Sequence, residues 1–588
     1  MKLKKVLLLC IIVALALALF AACARDEDEP AADDTTPDTT VTDPQDDPPE
    51  DDTPTEVDDS ELVTLRVFSM AANTSGLQDN SYWAELIRQD LNLVIELLPA
   101  GDEADSRLAV LMASRDLPDI TVFRDNPVLV TDAIEAGFLL NLDDHHNAIP
   151  NVLANAHHAL QFMRDNISMG TGRAYAVPNR VTNQVNVMGS VSGPYLRWDL
   201  YTELGRPHMS TLEDYLYVIQ QMLELEPENP HGQNNFGFSI FTDWDGNVSW
   251  PVRIVTEMFG VTQDGFGFSE VNFGNNNEIT SIYDDNSYFR RAIRFFNQAH
   301  QMGLMDPDII TDTFSDYIEK ANAGRVLFQI LSWTSWAYET EETRESMRSY
   351  MGVFFDEQRQ IFPAPPYVGD NNWTAVSATS NHPDRALALL NYMYCFDALW
   401  HLAWGPQGIA WDLNAEGRPF RTALGYDMGN NHIPFENGGL ISEGLNLMNF
   451  FGMPWHVTHP RFNARMDELD WPATEHTPPD FAVFESWREI NNAFDSMEYA
   501  RNHGIYVVSP FIPPLPPMPD DLARILDQVS AENYSFTYRM ILAANDAEFD
   551  ALWDELVSRA YGMGAGYVNE WIREQFAISL AEGARYMH

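Results

Sequence analysis

After residue 23 this chain of 588 residues holds a single cysteine, Cys395. One thiol cannot close an internal disulfide, so the folded part depends on its core alone. Cys395 lies in the apolar run ALALLNYMYCF and is expected as a buried small hydrophobe in a helix. Basic residues are also scarce, with 35 Lys and Arg against 87 Asp and Glu and a net charge of −52. That balance excludes a nucleic-acid footprint, which needs positive charge to meet phosphates, and disfavours a body lying on anionic lipid. No internal repeat is evident, and no G-x-S-x-G occurs to suggest a serine nucleophile. After Phe20 no apolar run is long enough to span a bilayer.

What is present begins at the amino terminus. Lys2, Lys4 and Lys5 precede an uninterrupted apolar stretch of 15 residues, Val6 to Phe20. A membrane span wants about 20 residues, whereas this length and charged flank suit a secretory signal peptide. Ala21, Ala22 and Cys23 follow, and LFAAC resembles the lipobox of bacterial lipoproteins, with Phe20 where leucine is usual. The resemblance implies cleavage of residues 1–22 and a diacylglycerol on Cys23. Residues 24 to 60 carry 16 acids and 6 prolines and no aromatic residue. Such a stretch buries too little apolar surface to offset its ordering entropy, so 23–60 reads as a lipid anchor and an extended, self-repelling tether. Without the tether's 16 acids and Arg25, and without the three leading lysines, 71 acids face 31 bases. The remaining body, 61–588, is therefore still near −40.

That body alternates strand and helix patterns. ELVTLRVFS (61–69), LVIELLPA (93–100) and LPDITVF (117–123) read as strands. SYWAELIRQDLN (81–92), DEADSRLAVLMAS (102–114) and VTDAIEAGFL (130–139) read as amphipathic helices, the last ending near Gly137. This order predicts an α/β fold with parallel pairing and right-handed crossovers. Ligands in open sheets of this kind bind beyond the carboxyl ends of the strands, which marks the loops after Ser69 and Phe123.

Several blocks then recur in a recognisable order: LMASRDLPDI (111–120), EAGFLLNLDDHHNAIPN (135–151), GRAYAVPNR (172–180), YLRWDLYTELGRPHMSTLEDY (195–215), FFNQAHQMGLMDPDI (295–309), WTAVSATSNHPDRALALLNYMY (373–394), GPQGIAWDLNAEGRP (405–419) and the tail from 545 to 572. Their order resembles the extracellular solute-binding proteins of bacterial ABC importers, the large sugar-type lipoproteins in particular. The resemblance implies a periplasmic-binding-protein-like fold: two α/β lobes, hinge crossovers and a ligand cleft between the lobes. The first crossing is expected near Tyr175 to Asn186, the second near Pro365 to Ser377, and a further exchange between Asp412 and Asp480. Lobe 1 would hold about 61–180 plus 378–470, and lobe 2 about 187–365 plus 480–588. The implied partners are a carbohydrate, ABC permease subunits and, through the lipid only, the outer face of the cell membrane. The protein would act as a monomer and without a cofactor. Closure would follow from ligand contacts made with both lobes only in the closed state.

Sugars present apolar C–H faces to aromatic rings, and hydroxyls to carboxylates, amides and guanidinium groups. Of the 15 tryptophans, Trp244, Trp333, Trp373 and Trp411 fall at loop or strand-end positions and are the expected stacking platforms. Asn73, Arg124, Asp125 and Asp243 are the expected polar partners. Core packing is the competing role for any one tryptophan, and Trp83 and Trp198 sit in helical patterns that suggest it. His145, His146, His157 and His158 near Asp143 and Asp144 could suggest a metal, but adjacent loop histidines diverge and no metal is expected. LEPENPHGQNNFG (225–237) falls where relatives often carry an acidic calcium loop, yet it has asparagines and a histidine where calcium needs carboxylates, so no calcium is expected. Gly562, Gly564 and Gly566 follow no strand, so no nucleotide site is expected. An oligopeptide-binding lipoprotein, a lipoprotein glycoside hydrolase and a sugar sensor are the alternatives. The hydrolase would need a specific pair of carboxylates, and among 87 acids chance pairs carry no weight.

Overall fold

The computed structural model describes residues 61–586, except 70–74, 80, 99–103, 125–126, 182–191, 243–248, 333, 335–337, 364–366, 370–371, 431–433, 435–451, 454–456, 467–470, 472–480 and 514. All of them belong to one compact unit, Pro54–His588. The signal segment, Cys23, the tether, Asn73, Asp125, Asp243, Trp244 and Trp333 lie outside the described residues.

The first sheet forms from strands β1 (Val63–Ser69), β2 (Gly76–Gln78), β3 (Leu93–Leu98), β4 (Ile120–Arg124) and β5 (Val177–Pro178), together with a much later strand, β13 (Asn372–Val376). Their order is β2-β3-β1-β4-β13-β5. β1 pairs in parallel with β3 from Val63–Leu93 to Phe68–Leu98, and with β4 from Val67–Ile120 to Ser69–Val122. That is the parallel pairing that helices between successive strands impose. The first helix, Tyr82–Leu91, starts where Ser81 accepts the N–H of Ala84 and stops at Asn92, which takes the left-handed conformation. Helix Pro127–Glu135 ends through Gly137, whose positive φ of 69° lets Phe138 N–H reach back to the Ala133 carbonyl.

Side-chain alternation divides the sheet's two faces. Leu65, Val67, Ile95, Ile120, Val122 and Val376 face one core, built with helices Pro383–Tyr392 and Phe396–Trp404. Phe68, Phe123, Trp373 and Ala375 face the other, packed with Leu108, Val130, Ala133 and Ile134. Burying each such large side chain stabilises the fold by about 1.5–3 kcal/mol. Cys395 departs from expectation. The apolar run breaks at Met393, and Cys395 is the half-buried residue that starts helix Phe396–Trp404.

A second sheet joins β6 (Ser192–Arg197), β10 (Phe328–Leu331) and β11 (Tyr350–Gly352) in the order β10-β6-β11, all antiparallel. Beside it lies a small meander of β7 (Val261–Gln263), β8 (Ser269–Asn272) and β9 (Glu278–Ser281). Its core draws on helices Tyr288–Gln301, Asp520–Ile541, Asp546–Met563 and Ala565–Gly583. Arg197 is fully buried there, and its guanidinium donates to Asp199 at 2.9 and 2.6 Å and to Glu226 at 3.0 Å. A buried charge is tolerated only when paired in this way. Gly564 turns the chain between the last two helices with φ 105°, and the glycine pattern at 562–566 thus serves a helix junction.

Strand β12 (Gln360–Pro363) pairs in parallel with the strand Tyr506–Ser509 where the chain leaves the core of the second sheet. β12 leads towards β13 of the first sheet, and the strand Tyr506–Ser509 leads to Phe511, which packs beside Phe162 and Tyr586 on the sheet face that holds Phe68, Phe123 and Trp373. Among the described residues, no helix is long and apolar enough to cross a membrane.

Candidate functional site

The carboxyl ends of β1, β3, β4 and β5 share one edge of the first sheet, and antiparallel β13 begins there. In the second sheet, Ser192 at the start of β6 pairs with Leu331 at the end of β10, so those two ends also coincide. The stretch 179–191 leads from the end of β5 to the start of β6, and 364–371 leads from the end of β12 to the start of β13. Strand ends at a change of sheet are where ligands of open α/β folds sit.

On the first side, Arg124 is exposed at the end of β4 and pairs in register with Asn372 of β13. Asn179, just after β5, donates its backbone N–H to the Asn372 carbonyl at 2.7 Å. Its side-chain oxygen accepts the Thr374 hydroxyl at 2.6 Å. Ser69 is buried at the end of β1.

On the second side, helix Trp250–Glu257 begins after Ser249 with Pro251 in its first turn, a position where proline's missing N–H costs nothing. Trp250, Arg253 and Glu257 are spaced three and four residues apart and line one face of it. The Arg253 guanidinium carbon lies 5.3 Å from the Trp250 ring centroid. Its Nε donates to Glu257 Oε1 at 3.2 Å, and the Ser192 hydroxyl donates to Glu257 Oε2 at 3.2 Å. Trp250 is half-buried, and the Glu257 side chain is 17% exposed. An aromatic ring, a donor fork and a carboxylate therefore meet at the strand edge. Buried Thr334 donates to Gln329 Oε1 at 2.5 Å and to the Leu331 carbonyl at 2.9 Å, which holds the turn that follows β10.

Two of the expected platforms are elsewhere. Trp373 is 1% exposed and points into the first sheet's helix-covered face, because alternation along β13 sends residues 373 and 375 inward on that side. Trp411, also 1% exposed, opens β14 (Trp411–Leu413), which pairs with β15 (Pro419–Arg421). Its Nε1 donates to the Gly405 carbonyl at 2.9 Å, and its ring packs 5.6 Å from those of Trp400 and Phe462. Both rings are core, a correction to the expectation that they stack on a ligand. The expected platform in this stretch is Trp244, six residues before Trp250, and Trp250, Arg253 and Glu257 are not among the expected site residues. Their spacing after a Ser-Trp-Pro helix start was the available signal.

The histidines form no cage. His157 and His158 rings lie 4.0 Å apart, and Asp143 is occupied by Arg164 at 2.5 Å and by the Ala174 N–H at 2.9 Å. Burial works against ionisation of Asp143, but these donors hold its carboxyl below the usual range. Among the described residues, no three His, Cys, Asp or Glu side chains converge as metal ligands. In 225–237 the Asn229 side chain accepts the His231 and Gln233 N–H groups at 3.0 Å each and donates to the Ala323 carbonyl at 3.1 Å. Glu226 pairs with Arg197 and Arg348. The loop is thus closed by neutral amides and ion pairs.

No family model and no curated protein matches the chain. Solved structures do. The alginate-binding protein AlgQ2 without calcium ion aligns with TM-score 0.55 and 13% identity, covering 88% of this chain and 98% of that one. A solute-binding protein from Bifidobacterium longum infantis, described as HMO-binding and ABC-transporter-associated, aligns with TM-score 0.53 and 15% identity, over 88% and 99% of the two chains. The ABC-transporter substrate-binding protein FusA of S. pneumoniae, in complex with kestose, aligns with TM-score 0.51 and 14% identity, over 90% and 99%. The chain has the two-lobed, periplasmic-binding-protein-like fold of ABC-transporter solute-binding proteins.

Proposed function

We propose that this protein captures a carbohydrate, an oligosaccharide, in the cleft between its two lobes and delivers it to the permease of an ABC transporter. The observation that carries the reading is the near-complete alignment with solute-binding proteins over 98% and 99% of their lengths, combined with the Trp250–Arg253–Glu257 face at the strand edge. The neighbours are named for binding, which favours capture over catalysis. Cys23 would carry the lipid, 24–60 would hold the body off the outer face of the membrane, and the monomer would be the working unit. Asn73, Arg124, Asp125, Asp243, Trp244 and Trp333 remain proposed ligand contacts, joined now by Trp250, Arg253 and Glu257. The lobes would comprise about 61–180 with 378–470, and about 187–365 with 480–588.

A thermal-shift screen of the full chain against oligosaccharides and peptides tests this. A ligand at 100 times its Kd adds about 2.7 kcal/mol of stability. Oligosaccharides are expected to raise the melting temperature, and a shift by peptides alone would overturn the ligand class.

A further inference from the structure

The charge state of the ligand follows from how the strand-edge cations are used. The body carries about 71 acids against 31 bases, so its field repels anions approaching from solvent. A protein of this charge that takes polyanions needs uncommitted cations in its cleft. Among the described residues at that edge, the cation beside the aromatic ring has its charge committed. Arg253 is paired with Glu257, whose other oxygen accepts the Ser192 hydroxyl. Arg124, and Arg180 in the first crossover, each engage a partner within the protein. The Arg253–Glu257 pair is neutral in sum and offers donors beside an acceptor, the pattern that two neighbouring hydroxyls of a sugar satisfy. A ligand carboxylate could meet the guanidinium only by standing next to the Glu257 carboxylate, where like charges repel. Trp250 adds an apolar face that needs no charge on its partner.

We infer that the cleft takes oligosaccharides that are uncharged or carry amino groups, and rejects uronate oligosaccharides; this rests on the carbohydrate reading above. The test measures Kd for the full chain with three panels of tri- to pentasaccharides, uncharged, amino-bearing and uronate, at low and at physiological salt. Members of the first two panels are expected to bind at least about tenfold tighter than any uronate, with the gap narrowing as salt screens the field. The variant Glu257→Gln keeps the side chain's shape and removes its charge, so uronate affinity is expected to rise about tenfold. Uronates that bind the unaltered protein as tightly as the other panels overturn the inference and leave the carbohydrate reading standing, as does a Glu257→Gln protein that folds with unchanged uronate affinity. If no panel binds, the carbohydrate reading fails and the inference falls with it.

Discussion

Thr374 donates its hydroxyl to the Asn179 side-chain oxygen at 2.6 Å, and both residues are fully buried. Asn179 follows β5 directly and Thr374 lies within β13, its neighbour in the first sheet. One hydrogen bond therefore fixes the point where the chain leaves β5 against a strand that arrives 195 residues later.

Replacing the hydroxyl by a methyl, Thr374→Val, is expected to cost about 1–3 kcal/mol, because a buried acceptor loses its donor without gaining water. Urea unfolding of the variant checks this. An unchanged midpoint would mean that Asn179 is satisfied by its other partners.

The tryptophans divide by burial. Trp373→Ala and Trp411→Ala are expected to destabilise the fold by about 3–5 kcal/mol, since each empties a packed site. Trp250→Ala is expected to keep its unfolding midpoint within about 1 kcal/mol while losing about tenfold or more in oligosaccharide affinity. Affinity and urea unfolding, measured on the same three proteins, separate the two roles. A Trp250→Ala protein that binds normally would move the site away from helix Trp250–Glu257.

Glu270, buried on β8, accepts the Tyr288 N–H at 3.0 Å and that of Phe289 at the start of helix Tyr288–Gln301. Burial outweighs these donors and pushes its carboxyl up to about 7, from 4.5. The folded state then holds the proton more tightly than the unfolded one. Its stabilising contribution is full below about pH 4.5 and is lost as pH rises through about 7. Glu270→Gln is expected to flatten the fall in stability between these limits, read from unfolding midpoints at several pH values. A wild-type protein with no such fall would show that the helix amino terminus keeps Glu270 ionised.

Cys23→Ser, motivated by LFAAC, is expected to abolish lipid incorporation and release the protein from membranes with its fold intact. Persistent membrane attachment with labelled-lipid incorporation in that variant would exclude the anchor.

The sequence alone determined the fold class. Apolar alternation in VTLRVFS and LVIELL, with helical spacing in the segments between them, dictates parallel strands with covering helices, because each pattern has one way to bury its apolar face. The ordered blocks from LMASRDLPDI to the tail carried the resemblance to solute-binding proteins. Local patterns could not decide which tryptophans are core. Trp373 and Trp411 follow loops in the sequence just as a ligand-facing ring would. What makes Trp373 core is that β13, some 250 residues after β4, inserts beside it in a register that turns position 373 towards the helices. Trp411 is core because Trp400 and Phe462 close over it. The partnership of Ser192 with Glu257 across 65 residues, and of Asn179 with Thr374 across 195, likewise exists only after folding. Burial and pairing at such separations are set by which strands become neighbours, and that is a property of the tertiary structure rather than of any local stretch.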